Sequence, residues 1–417
     1  MDGQLAAHLH DWLNLLLRWA HFITGVAWIG ASFYFNWLEN HLERQAKASD
    51  SGRDIAGDLW AVHGGGFYYL QKYEVAPPRL PTTLHWFKYE AYFTWITGFA
   101  LLCTLYYWNA GVYMVDRSVA ELGANTAVGI GVASLVISWL FYDGLCRSPL
   151  KENNALLGLI VFGWFAGLAW ILSDLLSGRA AYIHVGAAIG TIMVANVFTV
   201  IIPSQKDLVA AVGEGRKPDG TKGRNALLRS RHNNYFTLPV LFIMISNHYP
   251  ATYGHALNWL VLAVISLAGV GVRHYFNIRH IKAHSRWVLP VSLLILVVAV
   301  VMTMPRLRAP EVTGTEPAAP QSGQADKQPA PSTADILPII QQHCANCHSD
   351  PPQFAGFFAP PLGVVLQSEA QIDSQAPRVF QSAVITRTMP LGNMTGMTAQ
   401  ERDSIARWYA GRLQGND

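Results

Sequence analysis

The sequence predicts an all-α protein: a polytopic membrane bundle of about eight transmembrane helices, with signs of a duplicated four-helix unit, followed by a small second helical domain. Three observations carry that expectation. First, 51% of the 417 residues are hydrophobic and 14% are charged, against about a quarter charged in soluble domains, which excludes a plain soluble enzyme. Second, about eight apolar stretches precede residue 305, each near the roughly 20 residues that a hydrocarbon core about 30 Å thick requires. Third, the chain turns polar beyond that point. The net charge of +3, from 30 basic and 27 acidic residues, gives no ground for a nucleic-acid partner.

The predicted spans are 12–38, 86–108, 124–146, 154–176, 180–202, 233–249, 254–272 and 287–304. The sixth is short and contains Pro239. The first does not read as a cleavable signal peptide, because it has no basic leading segment and no small-residue cleavage site before Asn36 and Glu39. Lys and Arg in the loops set the orientation. Loops after spans one, three, five and seven carry five, two, seven and four, whereas those after spans two, four and six carry one, one and none. The odd-numbered loops are therefore expected in the cytoplasm, with both the N-terminus and the C-terminal part outside, which in a Gram-negative cell is the periplasmic side of the inner (cytoplasmic) membrane.

Lys88-Tyr89-Glu90-Ala91-Tyr92-Phe93-Thr94, opening span two, and Arg231-His232-Asn233-Asn234-Tyr235-Phe236-Thr237, opening span six, share basic, Tyr, Phe and Thr positions in register. Each follows a span with one intramembrane histidine, His21 or His184. This suggests a parallel repeat of four helices, although interfacial aromatic clustering explains the same similarity. Ionisable groups within spans are functional suspects. Gly25 and Gly30 follow His21, and Gly186 and Gly190 follow His184; such small residues let a flat macrocycle approach. A haem b held by one or both histidines is compatible with this pattern, as is a histidine donating to a neighbouring helix.

Pro, Ala, Gln, Ser and Thr dominate residues 306–333, a composition that cannot pack a core and reads as a flexible linker between a 1–305 membrane domain and a 334–417 domain. The latter carries Cys344-Ala345-Asn346-Cys347-His348, the C-x-x-C-H pattern of covalent haem c attachment. Two thiols on one turn can meet two porphyrin vinyl groups while the next imidazole ligates the iron. A zinc or redox pair would want further ligands or a thioredoxin-like pattern, and neither is present. The distal ligand is expected from Met389, in a Met-Pro pair resembling the distal loop of small class I cytochromes c, with Met394 and Met397 as packing residues. Thr398 and Glu401 make a capping box for a closing helix bearing Ile405, Trp408, Tyr409 and Leu413, opposed by a helix over Ile336–His343.

The expected cytoplasmic side concentrates polar groups. His63 precedes Gly64-Gly65-Gly66, glycines that allow close backbone approach to a ligand or simply a flexible turn; Lys88 and Glu90 begin span two. His232 and Asn234 offer imidazole and amide edges suited to a planar heterocycle. No strands are expected, and hence no dinucleotide-binding fingerprint. Cys103 and Cys146 read as small buried hydrophobes.

Arg18-Trp19-Ala20-His21-Phe22, Gly25-Val26-Ala27-Trp28-Ile29-Gly30, the Trp60–Tyr68 loop, Lys88-Tyr89-Glu90 and a tethered C-x-x-C-H domain with Met389-Pro390-Leu391-Gly392-Asn393 together resemble the bacterial membrane-bound, cytochrome-c-fused urate oxidases, over essentially the full chain. The resemblance implies oxidation of urate to 5-hydroxyisourate, with electrons leaving through one covalent haem c to a respiratory-chain acceptor, a terminal oxidase or a soluble cytochrome. His63, Lys88, Glu90, His232 and Asn234 are then the candidate catalytic residues; Cys344, Cys347, His348, Met389, His21 and His184 are the candidate cofactor-binding residues, the last four as metal ligands. Two other classes remain open: an electron-transfer subunit fed by quinol or a partner dehydrogenase, and a purine transporter with a cytochrome sensor.

Overall fold

The computed structural model describes residues 2–43, 55–280, 285–304, 330–354 and 360–414. Most of the expected linker, 306–329, lies outside the described residues.

Helix α1 (Asp2–His41) leads into a hairpin of β1 (Ile55–His63) and β2 (Gly66–Tyr73), then α2 (Tyr89–Leu102), which passes through a π-turn at Cys103–Tyr107 to the short α3 (Ala110–Tyr113). The bundle continues with α4 (Ala124–Arg147), α5 (Asn154–Ser173), α6 (Gly178–Ala195), a second π-turn at Asn196–Ile201, α7 (Ile202–Gly213), α8 (Gly220–Ser246), the short α9 (Pro250–Tyr253), α10 (Asn258–Ile278) and α11 (Ser285–Met302). Among the described residues, five helical stretches are long and apolar enough to cross a membrane: Ala124–Arg147, Asn154–Ser173, Gly178–Gly213, Asn258–Ile278 and Ser285–Met302. They fall on the third, fourth, fifth, seventh and eighth predicted spans. Helix also covers the other three, on α1, on α2 with its π-turn, and on α8.

Two expectations are corrected. The supposedly strand-free first loop is an antiparallel hairpin pairing Leu59 with Leu70 and His63 with Gly66. Alternation of Trp60 and Val62 with intervening residues, ended by Gly64 and Gly65 at φ 58° and 82°, suits a two-residue hairpin turn. Arg231–Thr237 does not open a helix as Lys88–Thr94 does; it lies in the middle of α8, because the polar run from Gly220 is already helical, capped by Asp219 accepting from the Thr221 N–H at 2.8 Å.

The bundle core joins α4, α5 and α6 through Leu135, Leu157, Val161, Leu172, Val185 and Ile192. Close approach explains two glycines. A Cβ at Gly186 would come within 2.5 Å of the Ile243 side chain, and one at Gly131 within 2.4 Å of His184.

The C-terminal domain consists of α12 (Thr333–His343), α13 (Glu369–Ser374), α14 (Ala376–Phe380) and α15 (Ala399–Gln414). Its core contains Ile336 and Ile340 of α12 with Ile405 and Trp408 of α15, so the first and last helices close on one another as their apolar spacing requires. The Thr398–Glu401 box forms, with the Thr398 N–H donating to Glu401 at 2.7 Å and the Glu401 N–H to Thr398 at 3.3 Å. This domain rests on the loops at one end of the bundle. The Arg117 N–H donates to the Gly392 carbonyl at 3.3 Å, and at Gly254 a Cβ would meet the Thr386 carbonyl oxygen at 2.6 Å. The stretch bearing Met389 therefore faces the bundle.

Candidate functional site

A cavity of about 850 Å³ runs between α1, α2, α6 and α8, within the usual range for ligand pockets. Along α1 it is lined from Asn14 to Phe33, about 28 Å at 1.5 Å per residue. Its walls are mainly apolar, and its two arginines, Arg18 and Arg179, lie with Asn247, Tyr106 and Tyr113 towards the end that carries the C-terminal domain. His21 lines it too, its Nδ1 donating to the Thr94 carbonyl at 2.9 Å.

Beside the opposite end, Arg273 of α10 stacks its guanidinium 3.9 Å from the Phe33 ring centre. Its Nε donates to Asn234 Oδ1 at 2.9 Å, and Asn277 Nδ2 donates to the same oxygen at 2.9 Å. Asn234 is fully buried, and its Nδ2 has no hydrogen-bond partner. Arg273 is 8% exposed, and no carboxylate pairs with it among the described residues.

Arg229, on the same helix as Asn234, is the opposite case. It donates to Asp143 at 2.6 Å and to Asn196 at 3.1 Å. Asn196 donates to Tyr142 at 3.0 Å and to Asn233 at 2.8 Å, and the Tyr142 hydroxyl donates to His232 Nδ1 at 2.8 Å. This network is internally satisfied, as a structural polar core must be. A smaller cavity of about 400 Å³ borders it, lined by Arg147, Lys151, Lys222 and Arg229. Three of those four cations pair with Asp143 or Asp207.

The five candidate catalytic residues are not brought together. His63 sits exposed at the hairpin tip. Lys88 and Glu90 lie at the start of α2, with the Lys88 ammonium 4.9 Å from the Tyr89 ring centre. His232 and Asn234, two residues apart, point about 200° apart around α8, one into the Arg229 network and the other towards Arg273. His21 and His184 also diverge. His184 is fully buried, donates from Nδ1 to the Ala180 carbonyl at 2.7 Å, and has Nε2 3.3 Å from the Tyr107 hydroxyl; it packs against Gly131 rather than lining the cavity. Sequence reasoning missed Arg273 and Asn277, counted as loop residues at the end of a span, and the Asp143–Arg229 pair. An acidic residue inside predicted span three was the signal for that pair.

In the C-terminal domain the His348 N–H donates to the Cys344 carbonyl at 2.9 Å, so the motif forms one helical turn. His348 Nδ1 donates to the Val364 carbonyl at 2.9 Å, which fixes the tautomer and leaves the Nε2 lone pair available to a metal. Cys344 and Cys347 are free thiols. Burial pushes Cys344 up to about 12 and raises Cys347 as well, so both remain protonated thiols at neutral pH, the form that adds across a vinyl group. Buried Arg402 holds the Met389 stretch by donating to the Met389 carbonyl at 2.9 Å and to Asn393 at 3.2 Å. Met397 belongs to the domain core. This donor set, two thiols, an oriented imidazole and a thioether on a braced loop, fits a covalent haem c.

Comparison with curated proteins and with solved structures gives no match. A family model described as Urate oxidase N-terminal matches residues 7–304, which cover the whole bundle. The chain belongs to the Urate oxidase N-terminal family, and its membrane-type bundle is that of a urate oxidase-related oxidoreductase.

Proposed function

We propose that this protein oxidises urate to 5-hydroxyisourate within its bundle and delivers the electrons, through its C-terminal cytochrome c domain, to a respiratory-chain acceptor. The observation that carries the substrate reading is Arg273, a buried guanidinium without a counter-ion among the described residues, beside a buried amide with an unused N–H. Both features are costly unless a ligand completes them. Urate near neutral pH is a planar monoanion with carbonyl oxygens and ring N–H groups on its edge. Arg273 would balance its charge, Asn234 Nδ2 would donate to a carbonyl oxygen, and Asn277 would hold the Asn234 amide in that orientation. Urate monoanion and one water become 5-hydroxyisourate, one proton and two electrons.

Cys344 and Cys347 would hold the haem c through thioether bonds, with His348 and Met389 as its axial ligands. Bound there, it supplies a one-electron acceptor, so urate gives up its electrons in two steps. The docked Met389 stretch keeps that acceptor against the bundle. The loop charges favour eight crossings of a bacterial inner membrane with this domain in the periplasm.

The test is anaerobic reduction. The purified full-length protein, its haem oxidised, is mixed with urate while the c-type absorption band is recorded; prompt reduction is expected. No reduction over many minutes, or reduction by quinol with urate inert, would replace the enzyme reading with an electron-transfer subunit. Purine uptake into vesicles without haem reduction would replace it with a transporter.

A further inference from the structure

The large cavity is not accounted for by urate. Towards the end that carries the C-terminal domain, Arg18 donates to Asn14 at 2.7 Å and Arg179 to Asn247 at 3.3 Å. Both guanidiniums line this cavity, and among the described residues neither has a carboxylate partner. One helical turn from Arg18, His21 donates from Nδ1 to Thr94, and Nε2 has no hydrogen-bond partner among the described residues. The ring packs against α2 at Gly98, where a Cβ would come within 2.8 Å of the His21 Cε1 atom. The rest of the lining is predominantly apolar.

We infer that this cavity binds a non-covalent b-type porphyrin, with His21 Nε2 as an axial ligand to its iron and Arg18 and Arg179 pairing with its two carboxylates. Each requirement of the cavity selects this class. A neutral quinone leaves both cations unbalanced, and a fatty acid balances one and ignores the imidazole. A flat apolar macrocycle with two carboxylates and a metal centre satisfies all three. The backbone carbonyl of Thr94 fixes the His21 tautomer, as metal-bound imidazoles require. Tyr113 lines the same end of the cavity and belongs to α3, next to Val115 and Arg117, on which the Gly392 loop rests. The porphyrin therefore lies between the Arg273 cluster and the C-terminal domain, dividing a long electron path into two shorter ones. Its presence does not depend on urate being the substrate.

The test is a pyridine haemochrome spectrum of the full-length protein purified in detergent. We expect one b-type haem per chain beside the c-type haem. His21→Ala loses the b signal and keeps the c signal. Arg18→Gln with Arg179→Gln lowers the b-haem midpoint potential, because two positive charges that favour the reduced iron are gone, and lowers occupancy several-fold. The wild-type spectrum decides the matter even if a variant fails to fold: c-type haem alone, both as purified and after incubation with haemin, overturns the inference. So does a stoichiometric quinone extracted in place of haem b. A b signal that persists in a folded His21→Ala protein overturns the ligand assignment. Failure of urate to reduce either haem, with both present, would refute the substrate reading and leave this one standing.

Discussion

Arg273→Gln removes the buried cation beside Asn234, which has no carboxylate partner among the described residues, while glutamine keeps much of the side-chain volume against Phe33. A hydrogen bond to a charged group contributes about 1.5–3 kcal/mol. With each 1.4 kcal/mol corresponding to about tenfold, kcat/KM for urate should fall between about tenfold and about 150-fold. The loss should appear largely in KM, since Arg273 meets a charge that urate carries before it reacts. Arg273→Lys keeps the charge but loses the planar Nε–H that orients Asn234 Oδ1 at 2.9 Å, so its activity should lie between wild type and Arg273→Gln. The assay follows anaerobic c-haem reduction against urate concentration, with dithionite giving the full amplitude as a control on the C-terminal domain. Wild-type KM and rate in a folded Arg273→Gln protein would refute the charge-balance argument. So would loss of the urate response in a folded Arg229→Gln protein with Arg273→Gln unaffected, because Arg229 already has Asp143.

Met389→Ala should abolish the sulfur-to-iron charge-transfer band, and Met394→Ala should retain it; the reverse result moves the ligand. Gly392→Ala should loosen the C-terminal domain from the bundle, because φ is 54° and the new Cβ would lie 2.2 Å from the Val115 carbonyl oxygen. The left-handed backbone alone costs about 1–2 kcal/mol, so urate-driven reduction of the c haem should slow by about tenfold or more while dithionite reduction stays complete. Acid should weaken the C-terminal domain. The Thr398 N–H and hydroxyl and His343 hold the Glu401 carboxyl below its usual range, and the Ser332 hydroxyl and N–H do the same for Asp335. With folded values depressed, their stabilisation is complete above the unfolded carboxylate range of about 3.9–4.3 and disappears as pH falls through the folded values. Thermal melts of the full chain read by the haem c band should therefore drop below about pH 4. Thr398→Ala should lower stability at pH 7 by about 1 kcal/mol and flatten that acid dependence; an unchanged acid profile would remove Glu401 from the explanation.

The sequence by itself determined most of the α-helical layout, the C-terminal helices and the turn that aligns Cys344, Cys347 and His348. Hydropathy, capping and covalent spacing act over a few residues, and a few residues suffice to read them. The hairpin has a local signal, alternation around Trp60 and Val62 followed by glycines, but set among helices that signal reads as a loop. Only the tertiary structure decided which ionisable groups are balanced. Arg229 and Arg273 look alike in sequence, yet one meets Asp143 from α4 and the other, among the described residues, meets an amide and a ring. The same holds for His21, which borders a cavity, and His184, which fills the gap at Gly131. Whether a buried charge has a counter-ion depends on groups brought from distant positions in the chain. No local pattern encodes that pairing, and it is the pairing that separates a binding group from a packing group.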